Sequence, residues 1–432
     1  MTQDKWSSRT WHRKASRPVS IWMMVFIVVG AAHIFVPNYR WVLIHLFTLG
    51  LVTNSIVVWS QHLTEKFVHQ KLPDSARPKQ LARIYIINIG IVITVAGQIL
   101  VQFWNRHWIL TQIGATLIAL AVLWHAVALF IQWRAAKNKR FRPIVGSYVL
   151  SALCLPVGAV FGAILAIHPG NPQLLLAHIA TNIGGFIGLA AAGSLTILFP
   201  SIWRTQGTND HMSSSFVLLT AGVVATTIGA FLDFPQLGLI IYCIGWILSL
   251  QHWLGNVLVV AHAPRDRVNF ASVSVLMAAL WLVLSLAYYT TQHFLVTEPG
   301  LPTLGLVVGF GAQLLIGVMS YLLPTTMGGG PSAVRAGLQE LDRWGLLRAT
   351  FVNGGLLIWM GTDISLLKVV ASLLCIGSLA VFPVLVARAV KSQKQVLMKK
   401  AAGPEPKTTA DWNQIYIGIA ILAIIYVLFA AL

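Results

Sequence analysis

Long uninterrupted apolar runs are the feature of this sequence that most restricts its fold. A helix crosses a hydrocarbon core about 30 Å thick with roughly 20 apolar residues. Backbone groups in lipid must bond within the chain, so runs of this length predict helices rather than barrel strands. The sequence therefore predicts an all-α integral membrane protein with about thirteen transmembrane helices, numbered here as spans 1 to 13. The spans cover residues 20–37, 40–61, 82–103, 108–133, 144–167, 173–199, 215–234, 237–261, 270–291, 303–324, 348–362, 365–387 and 412–432.

Span 11 differs from the others in length and composition. It is short and contains Gly354 and Gly355. A complete crossing and a re-entrant or tilted segment both stay open at this point.

The positive charges follow the alternation of the spans. If the N-terminus is cytoplasmic, 27 of the 30 Lys and Arg residues fall in cytoplasmic segments, including five in the connection 62–83. Only Arg40, Arg106 and Lys368 then lie outside. Cytoplasmic loops of membrane proteins carry such an excess. We therefore expect an N-terminus inside and a C-terminus outside. The net charge of +18 reflects topology, so the expected partner is the lipid bilayer and no nucleic acid is expected.

The predicted organisation has four parts. Residues 1–19 form a basic cytoplasmic tail, and residues 20–390 form a membrane domain of twelve helices. Residues 391–411 start Lys-rich and continue with Gly-Pro-Glu-Pro, a composition typical of a flexible linker. Residues 412–432 form the thirteenth span.

Residue spacings indicate an internal repeat with a period of four spans. Self-similarity at a fixed period is the mark of a repeated architecture. Three sets of positions carry it: the glycines after isoleucine at Gly114, Gly245 and Gly377; the pairs His45–Ser60 and His178–Gly193; and the pairs Gly193–Pro200 and Gly317–Pro324. Spans 1 to 12 are therefore predicted to form a pseudo-threefold repeat of four helices, with span 13 appended.

Histidines are the polar residues that recur inside the spans, at His33, His45, His125, His178 and His252. Counted at about 1.5 Å per residue, His45 and His178 lie within about 10 Å of the outer ends of their spans. Neutral imidazole binds haem iron and copper, so all five are candidate cofactor-binding residues. His45 and His178 are also the candidate metal ligands, because they occupy equivalent repeat positions.

The histidines inside the spans also have a purely structural interpretation. A single histidine in a membrane helix often only makes a hydrogen bond between helices. His12 is expected to be solvated. His62 and His262 lie at span ends, where interfacial placement suffices, but they are the two strongest exceptions to that interpretation. No Asp or Glu lies in the middle of a span, which disfavours an ion-coupled carrier. No catalytic residue is predicted.

Twelve helices in such a repeat, with a histidine near the outer end of span 2, resemble the haem–copper oxidase subunit I superfamily. Three stretches look like a group of actinobacterial membrane modules related to that superfamily. They are His45-Leu-Phe-Thr-Leu-Gly-Leu-Val-Thr-Asn-Ser-Ile-Val-Val-Trp-Ser-Gln-His62, then His178 through Pro200 with Arg204, and Gly309 through Gly330. Such modules are often fused to, or encoded beside, an extracytoplasmic copper oxidase or copper nitrite reductase domain. The resemblance covers most of residues 20–390 and implies the bacterial cell (inner) membrane.

The resemblance transfers only part of the oxidase site. His45 matches the span 2 histidine that ligates low-spin haem, and His178 lies in span 6, where the oxidases place a copper ligand. The His-Pro-Glu pattern of that span is absent, and span 7 has no paired histidines. Span 10 has Gln313 and no histidine. Reduction of oxygen or nitric oxide at a binuclear centre is therefore not expected.

Three functions follow from these observations. The first is a redox membrane module that binds haem b or copper through the histidines and serves an extracytoplasmic copper protein. The second is a transporter for copper or a small solute. The third is an assembly or anchoring subunit without chemistry of its own.

Overall fold

The protein is all-helical in a computed structural model that describes residues 8–69, 72–136, 140–205, 211–260, 267–296 and 299–430. Those ranges contain no β-strand. Each of the thirteen predicted spans coincides with a helix. The prediction of an all-α membrane protein is confirmed.

Eleven helices of the described residues are long and apolar enough to cross a membrane. They correspond to spans 1 to 10 and span 12. Their bounds are Thr10–Ala31, Tyr39–Phe67, Asp74–Gln102, Trp108–Ala135, Arg142–Leu165, Pro172–Trp203, Met212–Phe231, Gln236–Val260, Phe270–Leu295, Gly305–Met327 and Ser365–Leu397.

Spans 11 and 13 are the shorter helices Gly345–Gly361 and Asn413–Ala430. The 17 residues of span 11 give a helix about 25 Å long, slightly less than the usual hydrocarbon thickness. Its glycines serve close packing: a Cβ at Gly354 would lie 2.5 Å from Leu422 of span 13. A Cβ at Gly355 would lie 3.0 Å from the carbonyl of Ala371 in span 12.

The chain divides into two compact units. The first comprises Met1–Thr196 and Asn209–Ser249, and the second Ile197–Thr208 and Leu250–Leu432. The core of the second unit includes four fully buried side chains, those of Phe270, Val352, Leu356 and Cys375. Large apolar side chains on many spans, such as Val92, Leu120 and Val217, remain exposed. A soluble protein rarely leaves so much apolar surface uncovered, so these side chains are the surface for lipid.

Spans 2, 6 and 10 are interrupted by π-helical segments, here named π1, π2 and π3. They are Leu46–Thr53, Ala180–Gly188 and Gly305–Ala312. Wide turns of this kind are rare and occur frequently at functional sites. The three segments recur at an interval of four spans.

Each π segment also presses a glycine against the odd-numbered span before it. No side chain fits at these positions, because a Cβ would come within about 3 Å of the neighbouring helix, closer than van der Waals contact allows. The three approaches are Gly50 to Trp22 of span 1 at 3.0 Å, Gly185 to Cys154 of span 5 at 2.6 Å, and Gly309 to Trp281 of span 9 at 2.6 Å.

The glycines that define the repeat in the sequence differ in how closely they pack against neighbouring helices. Gly193 packs on Ser147 of span 5, and Gly317 packs on Ser274 of span 9. Gly114 packs closely on Thr94, whereas a Cβ at Gly377 would meet nothing within 4 Å. The spacing of Gly377 therefore does not reflect the close packing found at Gly114.

Three segments predicted to lack helical structure contain helix. Ser8–Ala15 is helical within the predicted tail, and the helix Phe382–Leu397 extends past residue 390. The connection after span 10 contains the helix Pro331–Leu341, here called the connecting helix. Proline at its first turn and an apolar face with Ala333, Ala336 and Leu341 explain it.

The remaining linker residues lie against the connecting helix. Arg335 Nε donates to the carbonyl of Pro404 at 3.1 Å, and Gln339 Nε2 donates to that of Glu405 at 3.3 Å. Lys407 Nζ lies 3.8 Å from a carboxylate oxygen of Asp342. These bonds hold backbone that the composition alone predicts to be flexible.

Candidate two-histidine centre

His45 and His178 meet in the first unit, as their equivalent repeat positions suggest. Their ring centroids lie 6.3 Å apart and the ring planes are inclined by 34°. His45 ends the helix that precedes π1, and His178 lies two residues before π2. Both rings are partly buried. The two spans therefore bring their histidines together at matching places.

The ring nitrogens of the pair are not equivalent. Nδ1 of His45 lies 2.8 Å from the carbonyl oxygen of Trp41, and Nδ1 of His178 lies 2.8 Å from that of Gly158. A carbonyl oxygen can only accept a hydrogen bond, so Nδ1 of each ring carries the proton. Nε2 of each ring then carries a lone pair and no proton. A neutral imidazole binds a metal through such a nitrogen.

Neighbouring groups hold both imidazoles in place. The indole of Trp41 stacks on His45 with centroids 3.6 Å apart. The His178 ring lies against Gly162 of span 5, where a Cβ would come within 2.7 Å of Cε1. Such supporting contacts orient a metal ligand and fix its tautomer.

The other three candidates are not joined to this pair. His125 is fully buried, and both ring nitrogens have partners: Ser60 Oγ at 2.9 Å and Arg83 Nη1 at 3.4 Å. His33 Nδ1 lies 2.8 Å from the carbonyl of Gly30 at the end of span 1. His252, in the second unit, contacts Asn256 one turn along its own helix. These contacts match the hydrogen-bonding role of a histidine in a membrane helix.

A third protein ligand does not join the pair. No group of three or more His, Cys, Asp or Glu residues is close enough to hold a metal ion in the part of the chain that the structure describes. Structural zinc usually takes four protein ligands, and catalytic zinc three.

A second histidine contact, between His12 and His62, was not predicted. His12 Nε2 lies 2.9 Å from His62 Nδ1, and the ring centroids are 4.4 Å apart. Trp11, beside it, is only 3% exposed. The expectation that His12 is solvated was wrong, because its helix packs on the end of span 2. The apolar Trp11 and Ala15 on one face of a basic segment were the available signal.

Comparison with known proteins finds no matching family model and no matching curated sequence.

Proposed function

We propose that this protein is a redox module of a bacterial cell membrane that binds haem b or copper through His45 and His178. Its partner is an extracytoplasmic copper protein of the oxidase or nitrite reductase type. The observation that carries the proposal is the convergence of two imidazoles from spans 2 and 6, each with Nδ1 bonded to a backbone carbonyl.

The spacing of the rings fits a metal held between them. Two imidazoles that bind one metal would have ring centres no more than roughly 6 Å apart, from about 2 Å for each metal–nitrogen bond and about 1 Å from each nitrogen to its ring centre. The observed separation is 6.3 Å. Haem supplies four further nitrogens itself, so two histidines complete its ligand set. When bound, haem or copper would supply one-electron chemistry, and the protein would orient and shield it.

The π segments support the resemblance to haem–copper oxidase subunit I. They recur in spans 2, 6 and 10, and each places a glycine against the preceding span. A pseudo-threefold repeat of four helices accounts for both regularities. At the position of the histidines, span 10 has Thr303 and Leu304 before π3. The third repeat therefore lacks the imidazole that the first two supply.

The topology supports a partner on the outer side. The excess of Lys and Arg on alternate connections favours a cytoplasmic N-terminus. His45 and His178 then lie near the outer ends of spans 2 and 6, within reach of an extracytoplasmic electron carrier. The C-terminus after span 13 lies on the same side.

An optical spectrum of the purified protein, oxidised and then reduced with dithionite, tests the proposal together with metal analysis. We expect a haem absorption band or stoichiometric copper, and its loss in His45→Ala and His178→Ala. His252→Ala is the matched control and should keep the signal, since that ring contacts Asn256 on its own helix. Protein that stays colourless and metal-free after reconstitution with haem and with copper would contradict the proposal.

Transport of copper or a small solute is the second candidate, because the inner half of span 2 is unusually polar. Asn54, Ser60, Gln61 and Thr64 are all buried there. Buried polar groups of this kind hold water or a polar solute. Flux into liposomes that depends on the protein and is lost on substituting these residues would favour it. An anchoring subunit would show neither cofactor nor flux.

A further inference from the structure

Arg83 carries a second site in the first unit, away from the histidine pair. In the sequence it lies where the connection 62–83 and span 3 overlap, and the structure places it inside span 3, nine residues after Asp74. Nine residues correspond to about 14 Å of helix. The side chain is buried, with only 3% of the residue exposed.

The guanidinium of Arg83 has no acidic partner among the described residues. The ion pairs there involve five other basic residues, and the nearby carboxylate of Glu65 is bonded to both Nη1 and Nη2 of Arg77. Nε of Arg83 is buried without a hydrogen bond. Among the described residues, the guanidinium has one hydrogen-bonding contact, the 3.4 Å approach of Nη1 to His125 Nδ1, which is long for a hydrogen bond.

A second buried arginine has two backbone acceptors, although its Nη1 is also buried without a hydrogen bond. Arg348 is 6% exposed, donates to the carbonyls of Leu341 and Arg343, and lies 3.9 Å from the ring of Phe270. Its guanidinium caps the C-terminal end of the connecting helix. Arg83 lacks such acceptors, although an unpaired buried charge costs several kcal/mol.

We propose that Arg83 and His125 form a binding site for an oxyanion, held by the guanidinium. Arginine binds phosphate and carboxylate groups with two parallel hydrogen bonds. The anion would neutralise Arg83 and accept from N–H groups of its guanidinium.

The neighbouring side chains suit such a ligand. Ser60 Oγ lies 2.9 Å from His125 Nε2, so its hydroxyl is a further polar group next to the proposed site. The guanidinium also lies 5.6 Å from the ring centre of Trp124, which is 40% exposed on the lipid-facing surface. The anion is thus a free phosphate-like ion or the phosphodiester of a lipid headgroup. This site shares no residue with the histidine pair.

The test measures the thermal unfolding midpoint of the purified protein in two arms. In the first arm, delipidated protein is titrated with inorganic phosphate, with chloride at equal ionic strength as reference. In the second arm, protein in phosphatidylglycerol vesicles is compared with protein in phosphatidylcholine vesicles. Each arm is run on the wild type, Arg83→Gln, Arg83→Lys and the control Arg348→Gln.

We expect a saturable rise in the midpoint of the wild type that is lost in Arg83→Gln and reduced in Arg83→Lys, since lysine cannot make the paired hydrogen bonds. Arg348→Gln should lower the midpoint without changing the rise. A rise in the phosphate arm identifies a free oxyanion, and a rise in the phosphatidylglycerol arm alone identifies a lipid headgroup. No saturable rise in the wild type in either arm, or an equal rise in Arg83→Gln, overturns the proposal. If Arg83→Gln does not fold, Arg83→Lys and the wild-type titrations decide.

Discussion

Single backbone carbonyls decide the chemistry of the two central histidines. The carbonyls of Trp41 and Gly158 each accept from a ring Nδ1, so the tautomer of both imidazoles follows from backbone geometry. His125 has the same residue type but two occupied nitrogens. Partners, rather than residue type, therefore separate a candidate ligand from a structural histidine.

Enlarging Gly162 tests the position of the His178 ring. A Cβ there would lie 2.7 Å from Cε1 and 2.9 Å from Nδ1 of His178, so Gly162→Ala must displace the imidazole. We expect at least a roughly tenfold weaker retention of haem or copper, the scale found when a ligand's supporting contacts are lost. Absorbance and metal content per protein measure it.

Gly377→Ala is the matched control for that substitution. It is also within a helix, but its Cβ would meet nothing within 4 Å. It should keep full cofactor content and gain up to about 1 kcal/mol of stability, because glycine disfavours a helix. Equal cofactor content in both variants would show that the Gly162 contact does not position His178.

At the scale of helices, short polar contacts join elements that the apolar pattern does not connect. Gln393, on the extension of span 12, is 2% exposed. Its Nε2 donates to the carbonyls of Pro324 and Gly328 at 2.9 and 2.7 Å. Both carbonyls lie at the end of span 10, and that of Pro324 also accepts from the backbone amide of Gly328 at 3.2 Å.

Gln393→Ala is expected to destabilise the second unit. The carbonyl of Gly328 would lose its Gln393 donor and that of Pro324 would keep only the amide of Gly328, at a cost of about 1–3 kcal/mol. The thermal unfolding midpoint in detergent should fall. Gln395→Ala, exposed on the same helix, should leave it unchanged, and an equal fall in both variants would point to a general loss of helix stability.

At the scale of the whole molecule, the number of crossings decides on which side the C-terminus lies. Thirteen crossings place the two termini on opposite sides, whereas twelve place them on the same side. Span 11 decides the count, because its helix has only 17 residues. Its close approach to Leu422 and Ala371 packs it against spans 13 and 12 as a crossing helix does.

Reporter fusions test that count. Alkaline phosphatase fused after Leu432 should be active and a fluorescent protein fused there dark, since the C-terminus is expected outside. Truncation after Gly403, which removes span 13, should reverse both signals. Active phosphatase after Gly403 would mean that the chain crosses the membrane one time fewer before the linker.

Part of the candidate site could be predicted from the sequence, because the repeat relates His45 to His178 without any structure. The docking of His12 could not, since a short basic helix shows no periodicity strong enough to identify its partner. The connecting helix was not predicted, although Pro331 at its first turn and its apolar face both indicate a helix. Arg83 fell where the predicted connection 62–83 and span 3 overlap, and hydropathy could not show that its side chain is buried.

The sequence by itself determined the all-helical membrane class and the places of the eleven helices of the described residues that are long and apolar enough to cross a membrane, because a long apolar run in lipid must satisfy its backbone within a helix. Only the tertiary structure decided which histidines meet, which ring nitrogens stay free and which buried arginine lacks an acceptor. Those properties depend on distances of a few ångströms between spans that are far apart in the chain. Hydropathy records which residues are apolar, and it contains no information on which neighbour each polar atom reaches.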